Sequence, residues 1–476
     1  MKKRNLILLM LCLFFMVACE KNLEEKPLSF LEESNSFNSA ADATSAINGV
    51  YDRLKGIYGM NMINLADLNG DECEVREDNG SGNEIHKNLF NSGTGIFDGF
   101  YTNSYVLIDR ANRVITYVPK ITMDAKMREQ IVGEAKFLRA LTYFNLVRAF
   151  GDVPLVTSIS NDVINVQISR DPAEKVYQQI IQDLKDAEGV LPAKFTVAAE
   201  IGRATSGAAK SILAKVYLTR KDWANAAAKA KEVIDSKTYS LVADYKDVFL
   251  PEKENGPEHI FSIQYSCTLP RYGSAMAENF AIFFSYPVNL TGGSYQVTPR
   301  QVTSYMNGDY RKEVTVINEK KIANGSVVAS RTGPHMDKYW DPLACGAGAA
   351  RNNFLVIRYA DVLLMYAEAV NETGSPTTEA YTAINQVRVR ARKGVATAEP
   401  KDLSGLNQTQ FRNAVLQERS WELCFEGHRR WDLLRTGRYI DAMKTLGIVA
   451  DSKHLLYPIP LNEITVNPSL VQNPGY

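Results

Sequence analysis

Residues 134–154 read EAKFLRALTYFNLVRAFGDVP, and the apolar side chains of this stretch point in nearly every direction around a helix. A helix turns by about 100° per residue, so polar residues at every third position spread around it instead of forming one wet face. Those polar residues are Lys136, Arg139, Thr142, Asn145 and Arg148. A helix without a polar face must be enclosed by other elements, and Gly151 with Pro154 is a typical helix stop. We therefore predict that this stretch is the central packing helix of the fold.

The start of the chain has the pattern of a secretory signal. Three cations at residues 2–4 precede an apolar run at residues 6–17, which is shorter than the roughly 20 residues of a membrane-spanning helix. The tetrapeptide MVAC at residues 16–19 resembles a bacterial lipobox, with Met16 where leucine is more usual. We predict that residues 1–18 are a signal peptide and that Cys19 is lipidated and anchors the protein. The alternative is ordinary cleavage with an incidental cysteine.

The charge balance gives no reason to expect a nucleic acid or an anionic membrane surface as a partner. The 476 residues are 45% apolar and 23% charged, with 54 basic and 54 acidic side chains. Loss of the signal peptide removes three cations and leaves a net charge of −3. This composition is that of an ordinary globular protein with a large core, and no nucleic-acid partner is expected.

Beyond the signal peptide we expect a tether followed by one folded domain. Residues 19–36 carry the lipid and form a polar, acidic tether. Residues 37–476 form a single domain, with an all-α scaffold at 37–250 and 355–476 and a loop-rich, ligand-binding insertion at about 251–354. Periodicity and capping signals predict helices at 40–55, 98–117, 124–150, 172–190, 205–236 as a pair, 359–371 and 378–392. Asp171 is the expected N-cap of the fourth, with Pro172 at its first position.

Two of these segments are predicted to be antiparallel helical hairpins. Residues 205–236 contain two apolar faces on either side of a short turn at Lys221 and Asp222, and residues 359–392 repeat the plan. Small residues at the contact allow close helix packing, as in tetratricopeptide units. The central helix matches the first helix of each hairpin when Ala140, Ala214 and Ala367 are superposed. An all-α, tetratricopeptide-like scaffold with long irregular loops and a few short strands is therefore expected.

The insertion supplies most of the predicted ligand-binding residues. Residues 267–299 carry two charges but six aromatic side chains, and glycine and proline interrupt any long regular element. Short strands are expected at 260–265 and 314–317. Neutral sugars have apolar faces and hydroxyl rims, so aromatic rings flanked by polar side chains suit them. The predicted ligand-binding residues here are Tyr272, Tyr286, Tyr295, Trp340, Arg351 and Asn352. Core packing remains the alternative for each aromatic residue taken singly.

A second candidate site begins at Asp67. The sequence DLNGD at residues 67–71 starts like a calcium loop, but Glu72 and Asp78 stand where such a loop needs glycine and glutamate. We predict a polar surface loop that presents Asp67, Asn69 and Asp71 to a hydroxyl-rich ligand. Calcium binding and a plain solvated turn are the alternatives.

The search for catalytic chemistry is negative. The chain has no GxxxxGK[ST], HExxH, GxSxG or SxxK motif, and its five histidines do not cluster at ligand spacing. Glu418, Glu422 and Glu426 would share one helix face, but the ExxH partner of a carboxylate metal site is missing. Arg419, Arg429 and Arg430 are available as counter-ions, so a structural salt-bridge network is the preferred interpretation. No catalytic residue, metal or cofactor is predicted.

Four cysteines remain in the mature chain apart from the lipidated one. They are Cys73, Cys267, Cys345 and Cys424. An exported protein can form disulfides, but nothing in this spacing selects a pairing. Cys424 lies in an apolar segment and is expected to be buried.

Eight long motifs follow one another along the chain. They are RANRVITYVP from residue 110, GEAKFLRALTYFNLVRAFGDVPLV from 133, IIQDLKDAEGVLP from 180, GRATSGAAKSILAKVYL from 202, RYADVLLMYAEAVNE from 358, INQVRVRAR from 384, ERSWELCFEGHRRWDLLRTGRY from 418 and LYPIPLNEITVNPSLVQNPGY from 456. Together they resemble the SusD/RagB family of outer-membrane lipoproteins, and the resemblance spans nearly the whole mature chain except about residues 251–339. Where members often have tryptophan near the start of the helix leading into RAN, this chain has Phe97 and Phe100.

The resemblance implies a non-enzymatic, lipid-anchored protein on the outer surface of the outer membrane. It further implies capture of oligosaccharides and their delivery to a SusC-like TonB-dependent transporter, over which the lipoprotein closes like a lid. A peptide ligand, a surface hydrolase and a scaffold that binds only the transporter are the alternatives.

Overall fold

The computed structural model describes residues 37–159, 167–267, 272–282, 292–322, 325–346 and 348–476. The predicted signal peptide, Cys19, the tether and Tyr286 lie outside these ranges. Seventeen α-helices are present in the described part: α1 (Ala40–Arg53), α2 (Met60–Ile63), α3 (Gly80–His86), α4 (Gly95–Tyr117), α5 (Ala125–Phe150), α6 (Ala173–Val190), α7 (Ser206–Thr219), α8 (Trp223–Asp235), α9 (Met276–Phe280), α10 (Pro299–Ser304), α11 (Tyr310–Thr315), α12 (Tyr359–Glu372), α13 (Thr378–Ala391), α14 (Gln408–Glu422), α15 (Arg429–Arg435), α16 (Tyr439–Thr445) and α17 (Leu461–Val466). The prediction of a mainly helical protein is confirmed.

The described strands form four two-stranded antiparallel sheets. They are β1 (Cys73–Val75), β2 (His259–Ile263), β3 (Tyr295–Val297), β4 (Val316–Ile317), β5 (Glu319–Lys321), β6 (Val327–Ala329), β7 (His335–Met336) and β8 (Phe354–Arg358). The pairs are β1 with β3, β2 with β8, β4 with β7, and β5 with β6. The prediction of a strand at 314–317 is only half right, because Val314 belongs to α11. The pairs β1–β3 and β2–β8 join the insertion to the helical scaffold, whereas β4–β7 and β5–β6 lie within the insertion.

The central helix, α5, is buried around most of its circumference from Ile131 to Phe150, as predicted, whereas residues 125–129 are largely exposed. Its polar residues are paired inside the protein: Glu134 binds Arg203, and Arg139 binds Asp183 and Asn112. Gly151 ends the helix with φ 74°, and its N–H donates to the carbonyl of Val147. A left-handed C-cap of this kind favours glycine because it has no Cβ.

Helical hairpins form where the sequence predicts them. Helices α7 and α8 pack together, as do α12 and α13, and the alanines proposed as equivalent, Ala140, Ala214 and Ala367, are all fully buried. Helix α5 also packs closely on α6, where a Cβ on Gly133 would come within 2.4 Å of Val190 Cγ2. Close approach of the helix axes therefore depends on small residues at the contacts.

The start of α6 differs from the prediction. Pro172 is the N-cap residue, and the side chain of Asp152 accepts a hydrogen bond from Ala173 N at 2.7 Å. Asp171 instead accepts from Leu155 N at 3.0 Å, in the loop that follows α5. The capping aspartate therefore comes from the loop after α5, 21 residues before the helix. A search for caps among the residues next to the helix does not find it.

The three glutamates 418, 422 and 426 form the expected salt-bridge network, but with other partners. Helix α14 ends at Glu422, so Glu426 is not on its face. Arg358 pairs with Glu422 at 2.6 Å and with Glu426 at 2.7 Å, and Arg311 pairs with Glu418 at 2.6 Å. The proposed counter-ions bind elsewhere: Arg419 pairs with Asp361 and Asp432, Arg429 with Asp71, and Arg430 with Asn69. Buried charges need such complete pairing.

Residues 457–476 close the C-terminal end of α5. Tyr457 N donates to the carbonyl of Ala149 at 2.7 Å, and Asn473 Nδ2 donates to the carbonyl of Phe150 at 3.0 Å. Arg170 Nη2 donates to the same Phe150 carbonyl at 3.0 Å. The end of the central helix is therefore satisfied by groups that are distant in sequence.

Candidate functional site

The predicted surface loop at residues 67–71 is wrong, because all three of its ligand candidates are buried in the core. Asp67 accepts a hydrogen bond from Gly427 N at 2.8 Å, and Asp71 forms an ion pair with Arg429 at 2.5 Å. Asn69 donates to the carbonyl of Ile85 at 2.7 Å. A hydroxyl-rich ligand cannot reach these side chains, since each is no more than 2% exposed.

Aromatic candidates in and near the insertion also differ in their surroundings. Tyr295 is buried in β3, and its hydroxyl donates to Asn64 Oδ1 at 2.5 Å, so its prediction as a ligand platform is wrong. Trp340 is half-buried against a small cluster around Ala350, with Lys320 Nζ 4.3 Å from its ring centroid. Phe97 and Phe100 are fully buried core residues. Tyr286 lies outside the described residues.

The two polar candidates at 351 and 352 are already engaged within the protein. Arg351 pairs with Asp341 at 2.6 Å and with Glu252 at 2.8 Å. Asn352 is buried, and its Nδ2 donates to the carbonyl of Phe249 at 3.3 Å. Both side chains therefore hold the insertion against the chain around residues 249–252, and the structure gives no support to a direct role in ligand binding.

Among the predicted aromatic residues that the structure describes, only Tyr272 is exposed in a cleft. Its side chain is 39% exposed, and the cleft has a volume of about 500 Å³. Lys55 Nζ lies 4.0 Å from the ring centroid. Tyr272 remains a candidate contact for a ligand.

A different cavity, of about 550 Å³, combines several polar side chains of separate segments. It is lined by Glu74, Val75, Arg76, Glu77, Asp78, Asn83, His86, Lys87, Gln296 and Thr332; we call it the polar cavity. Glu74 on β1 faces Gln296 on β3 across the antiparallel pair, so their side chains lie on the same face of the sheet. Gln296 Nε2 in turn donates to Thr332 Oγ1 at 2.5 Å.

Helix α3 and the turn before it form the opposite wall of the polar cavity. Asn79 caps α3 by accepting a hydrogen bond from Gly82 N, and Asn83 Nδ2 donates to the carbonyls of Arg76 and Glu77. These bonds fix the Arg76–Asp78 turn relative to the helix. The wall is therefore rigid before any ligand arrives.

The protonation states of Glu74, His86 and Asp78 decide which hydrogen bonds the polar cavity can offer to a ligand. The carboxylate of Glu74 is half-buried and has no hydrogen-bond partner among the described residues, and burial raises its pKa. Burial also lowers the pKa of His86, so this imidazole is neutral at pH 7, and its Nδ1 contacts the carbonyl of Leu68. Hydrogen bonding to Arg76 lowers the pKa of Asp78, which stays ionised. The cavity therefore offers cationic hydrogen-bond donors, anionic acceptors and neutral polar groups.

Sequence reasoning missed the polar cavity. Polar and apolar residues alternate in CEVR at 73–76 and in YQV at 295–297, which is the period of a half-buried strand. That pattern could have predicted two short strands with Glu74 and Gln296 on their polar faces. It could not have predicted their pairing, because more than 200 residues separate the two segments.

Two further observations concern metals and membranes. Within the described residues, no group of three or more His, Cys, Asp or Glu is placed to hold a metal ion. The same part of the chain contains no helix that is both long and apolar enough to cross a bilayer.

Cys267 and Cys345 form a disulfide, whereas Cys73 and Cys424 are free and buried.

Comparison with known proteins matches the chain to one family along most of its length. The SusD family model matches residues 235–476, and a model described as "Starch-binding associating with outer membrane" matches residues 21–218. SusD-like protein P2 of Formosa agariphila is 30% identical over 510 aligned positions, which cover 100% of both chains.

Solved structures agree with this match. A SusD superfamily protein from Parabacteroides distasonis superposes with a TM-score of 0.81 at 28% identity, covering 92% of this chain and 99% of the other. A laminarin-binding SusD-like protein gives a TM-score of 0.80 at 26% identity, covering 92% and 100%. Because a family model covers half of the chain and a relative matches it over its full length, the chain belongs to the SusD family.

Proposed function

We propose that this protein binds oligosaccharides at the cell surface, in the polar cavity, and delivers them to a SusC-like TonB-dependent transporter in the outer membrane. The observation that carries the proposal is the half-buried Glu74 carboxylate, which faces Gln296 and has no hydrogen-bond partner among the described residues. Half-burial removes part of the hydration of this carboxylate, and a ligand hydroxyl that donates to it recovers part of that cost.

Sugar hydroxyls suit the other groups of the cavity. Each hydroxyl both donates and accepts, so a sugar ring can bridge the half-buried Glu74 carboxylate and the exposed Lys87 ammonium. A volume of about 550 Å³ lies in the range of small-ligand sites. The solved relative that binds laminarin, a glucan, supports carbohydrate as the ligand class.

Outer-membrane association is supported by the description of the family model that matches residues 21–218. Lipidation at Cys19 would tether the protein at the cell surface, and the transporter would receive the bound sugar. Catalysis has no role in this proposal: the polar cavity would bind and release its ligand unchanged.

Calorimetric titration with laminarihexaose and maltohexaose tests the site. We expect the double variant Glu74→Gln with Gln296→Ala to weaken binding by at least about tenfold, because it removes the charge of the acceptor at residue 74 and the side chain that lies opposite it in the sheet. Glu379→Gln, an exposed carboxyl on the first turn of α13, is the matched control and should bind as the parent does. Unchanged affinity in the double variant would rule out the polar cavity as the site.

A peptide is the second candidate ligand, favoured by the opposite charges at the cavity rim. Glu77 and Lys87 are exposed and have no side-chain partner among the described residues, so they could pair with charged peptide groups. A pull-down with mixed peptide and oligosaccharide pools separates the two ligand classes. Time-resolved analysis of incubated glycans excludes hydrolysis if no product forms. A protein that captures only the transporter and neither pool would instead be a scaffold.

A further inference from the structure

A groove lies between the first turns of α5 and the last turns of α6, and we call it the α5–α6 groove. It has a volume of about 380 Å³ and is lined by Pro119, Arg128, Glu129, Val132, Gly133, Lys136, Asp186 and Val190. Its wall along α5, from Arg128 to Lys136, is about 12 Å long. Lys136 Nζ lies 2.6 Å from Asp186 Oδ2, and this ion pair joins the two helices at the end away from Pro119. The α5–α6 groove shares no lining residue with the polar cavity.

The middle of the α5–α6 groove is apolar and open to solvent. Val190, the last residue of α6, is 40% exposed, and Val132 on α5 is half-buried. Gly133 has no side chain with which to cover Val190. An open apolar surface between charged ends is typical of a place where another segment packs.

The described part of the chain begins beside this groove. Phe37, the first described residue, packs on Tyr117 with the ring centroids 5.1 Å apart. Tyr117 is the last residue of α4, and the turn Val118–Lys120 that follows it places Pro119 in the groove wall. The tether that precedes Phe37 in the sequence is therefore joined to the body next to the groove.

The tether contains one cluster of large apolar residues. Within residues 19–36, the tetrapeptide LSFL at residues 28–31 contributes Leu28, Phe30 and Leu31, and most of the other residues are polar or charged. The six residues from Leu31 to Phe37 can span up to about 20 Å. An extended tetrapeptide is about 13 Å long, which is close to the length of the groove wall. Residues 28–31 can therefore reach the groove and match it in length and polarity.

Charge favours the same occupant. Glu32 and Glu33 directly follow the apolar cluster. Lys120 and Arg128 stand at the junction of α4 and α5, where the described residues offer neither of them a salt bridge: Lys120 Nζ lies near the ring of Tyr117, and Arg128 donates to a backbone carbonyl. The exposed Glu129 offsets part of this positive charge. The attraction is therefore modest, and it adds to the apolar contact.

We propose that residues 28–31 dock in the α5–α6 groove, with Phe30 and Leu31 against Val132 and Val190. Because the segment belongs to the same chain, its effective concentration at the groove is high, and even a weak contact is occupied. The family model that matches residues 21–218 begins before this segment, so the matched part of the chain includes it.

Docking would shorten the reach of the proposed lipid anchor. An undocked tether of residues 19–36 can extend by about 60 Å, whereas the free part that docking leaves, residues 19–27, can extend by about 30 Å. A lipid at Cys19 would then hold the body within about half the distance of the membrane. The docking itself depends neither on lipidation nor on the ligand of the polar cavity.

Disulfide trapping in the full mature chain tests the docking. Ser29→Cys is combined either with Glu129→Cys, in the groove, or with Ser45→Cys, at an exposed position of α1 that an undocked tether can also reach. These pairs leave the apolar contacts intact, and Ser29→Cys alone measures pairing with the native thiols. We expect the pair at 29 and 129 to form at least about tenfold faster under oxidised glutathione than the pair at 29 and 45, as measured by peptide mass spectrometry. Equal rates would overturn the proposal, and so would a link between 29 and 129 that joins two chains, because it would assign the groove to a second copy.

Removal of the apolar side chains tests the contact itself. Phe30→Ser with Leu31→Ser should bring the two trapping rates together, whereas the control Leu23→Ser should keep them apart. Glutamyl endopeptidase gives a readout without added cysteines: cleavage after Glu33 should be at least about tenfold faster in the double variant than in the parent, because docking restrains the neighbouring backbone. Cleavage at the same rate in both proteins would overturn the docking of residues 28–31.

Discussion

Arg139 on α5 and Asp183 on α6 form a bidentate ion pair inside the protein. Nε lies 2.8 Å from Oδ2 and Nη2 lies 2.7 Å from Oδ1, and the two side chains are 5% and 2% exposed. Arg139 Nη1 also donates to Asn112 Oδ1 on α4 at 2.7 Å. One guanidinium therefore joins three successive helices of the scaffold.

We expect Arg139→Met to reduce the free energy of unfolding by about 3–5 kcal/mol, because it leaves the Asp183 carboxylate buried without its cation. Urea unfolding followed by circular dichroism measures the change. Adding Asp183→Leu should recover most of the loss. Arg113→Met, which removes a half-exposed pair with Asp109, is the control and should cost less than about 1 kcal/mol. Equal losses in the two single variants would contradict the prediction.

Asp67 should make stability depend on pH. Burial raises the pKa of Asp67 to about 7 from 3.8, and the nearby charge of Glu426 acts in the same direction against hydrogen bonds from Gly427 and Arg429. Burial likewise raises the pKa of Glu72. The folded state binds the Asp67 proton more tightly than the unfolded state does. Protonation of Asp67 therefore contributes fully to the free energy of unfolding below pH 3.8, and this contribution is lost as the pH rises through about 7.

Asp67→Asn tests this dependence, since the amide oxygen still accepts from Gly427 N. Relative to the parent, the variant should gain in Tm as the pH is raised from about 5 to about 8. Thermal unfolding across that range measures the gain. Asp235→Asn, at an exposed position of α8, is the control. Parallel curves for Asp67→Asn and the parent would show that Asp67 does not titrate in this window.

Gly133→Ala should destabilise the protein although alanine is the better helix former. A Cβ at this position would lie 2.4 Å from Val190 Cγ2, and the branched valine cannot turn away freely. Overpacking of this kind costs about 1–3 kcal/mol, against about 1 kcal/mol gained in helix propensity. Val190→Ala should reverse the loss, as measured by the urea midpoint. A midpoint for Gly133→Ala at or above that of the parent would refute the contact.

Reduction of the Cys267–Cys345 disulfide should loosen the insertion. The bond closes a loop with a sequence separation of 78, for which chain entropy predicts a stabilisation of about 4 kcal/mol. We expect dithiothreitol to speed proteolysis between residues 267 and 345 and to lower Tm. Cys267→Ala with Cys345→Ala should show the same sensitivity without reductant and no further response to it. A response in that variant would show that the reductant does not act through this disulfide and would contradict the prediction.

Helices were predictable because their periodicity and caps are local. The central helix was expected at 124–150 and is found at Ala125–Phe150, and the hairpin of α7 and α8 turns at Lys221 and Asp222 as expected. These features depend on residues a few positions apart, so the sequence displays them directly.

The site was not predictable in this way, because burial of its residues depends on distant partners. Asp67, Asn69 and Asp71 look like a polar surface turn until Gly427, Arg430 and Arg429 are brought against them from 358 to 361 residues away. Tyr295 likewise looks like an exposed loop aromatic until β3 pairs with β1. Polarity in the sequence did not distinguish a solvated carboxylate from a paired one.

The closure of α5 by residues 457–476 has a consequence for the order of folding. Asn473 and the Phe150 carbonyl are 323 residues apart, a contact of very high sequence separation. Such contacts form late, because the intervening chain must first lose its freedom. A growing chain can therefore build the hairpins early but cannot finish its innermost helix until residues 457–476 have emerged. Until then, the last carbonyl groups of α5 lack partners that they have in the finished fold.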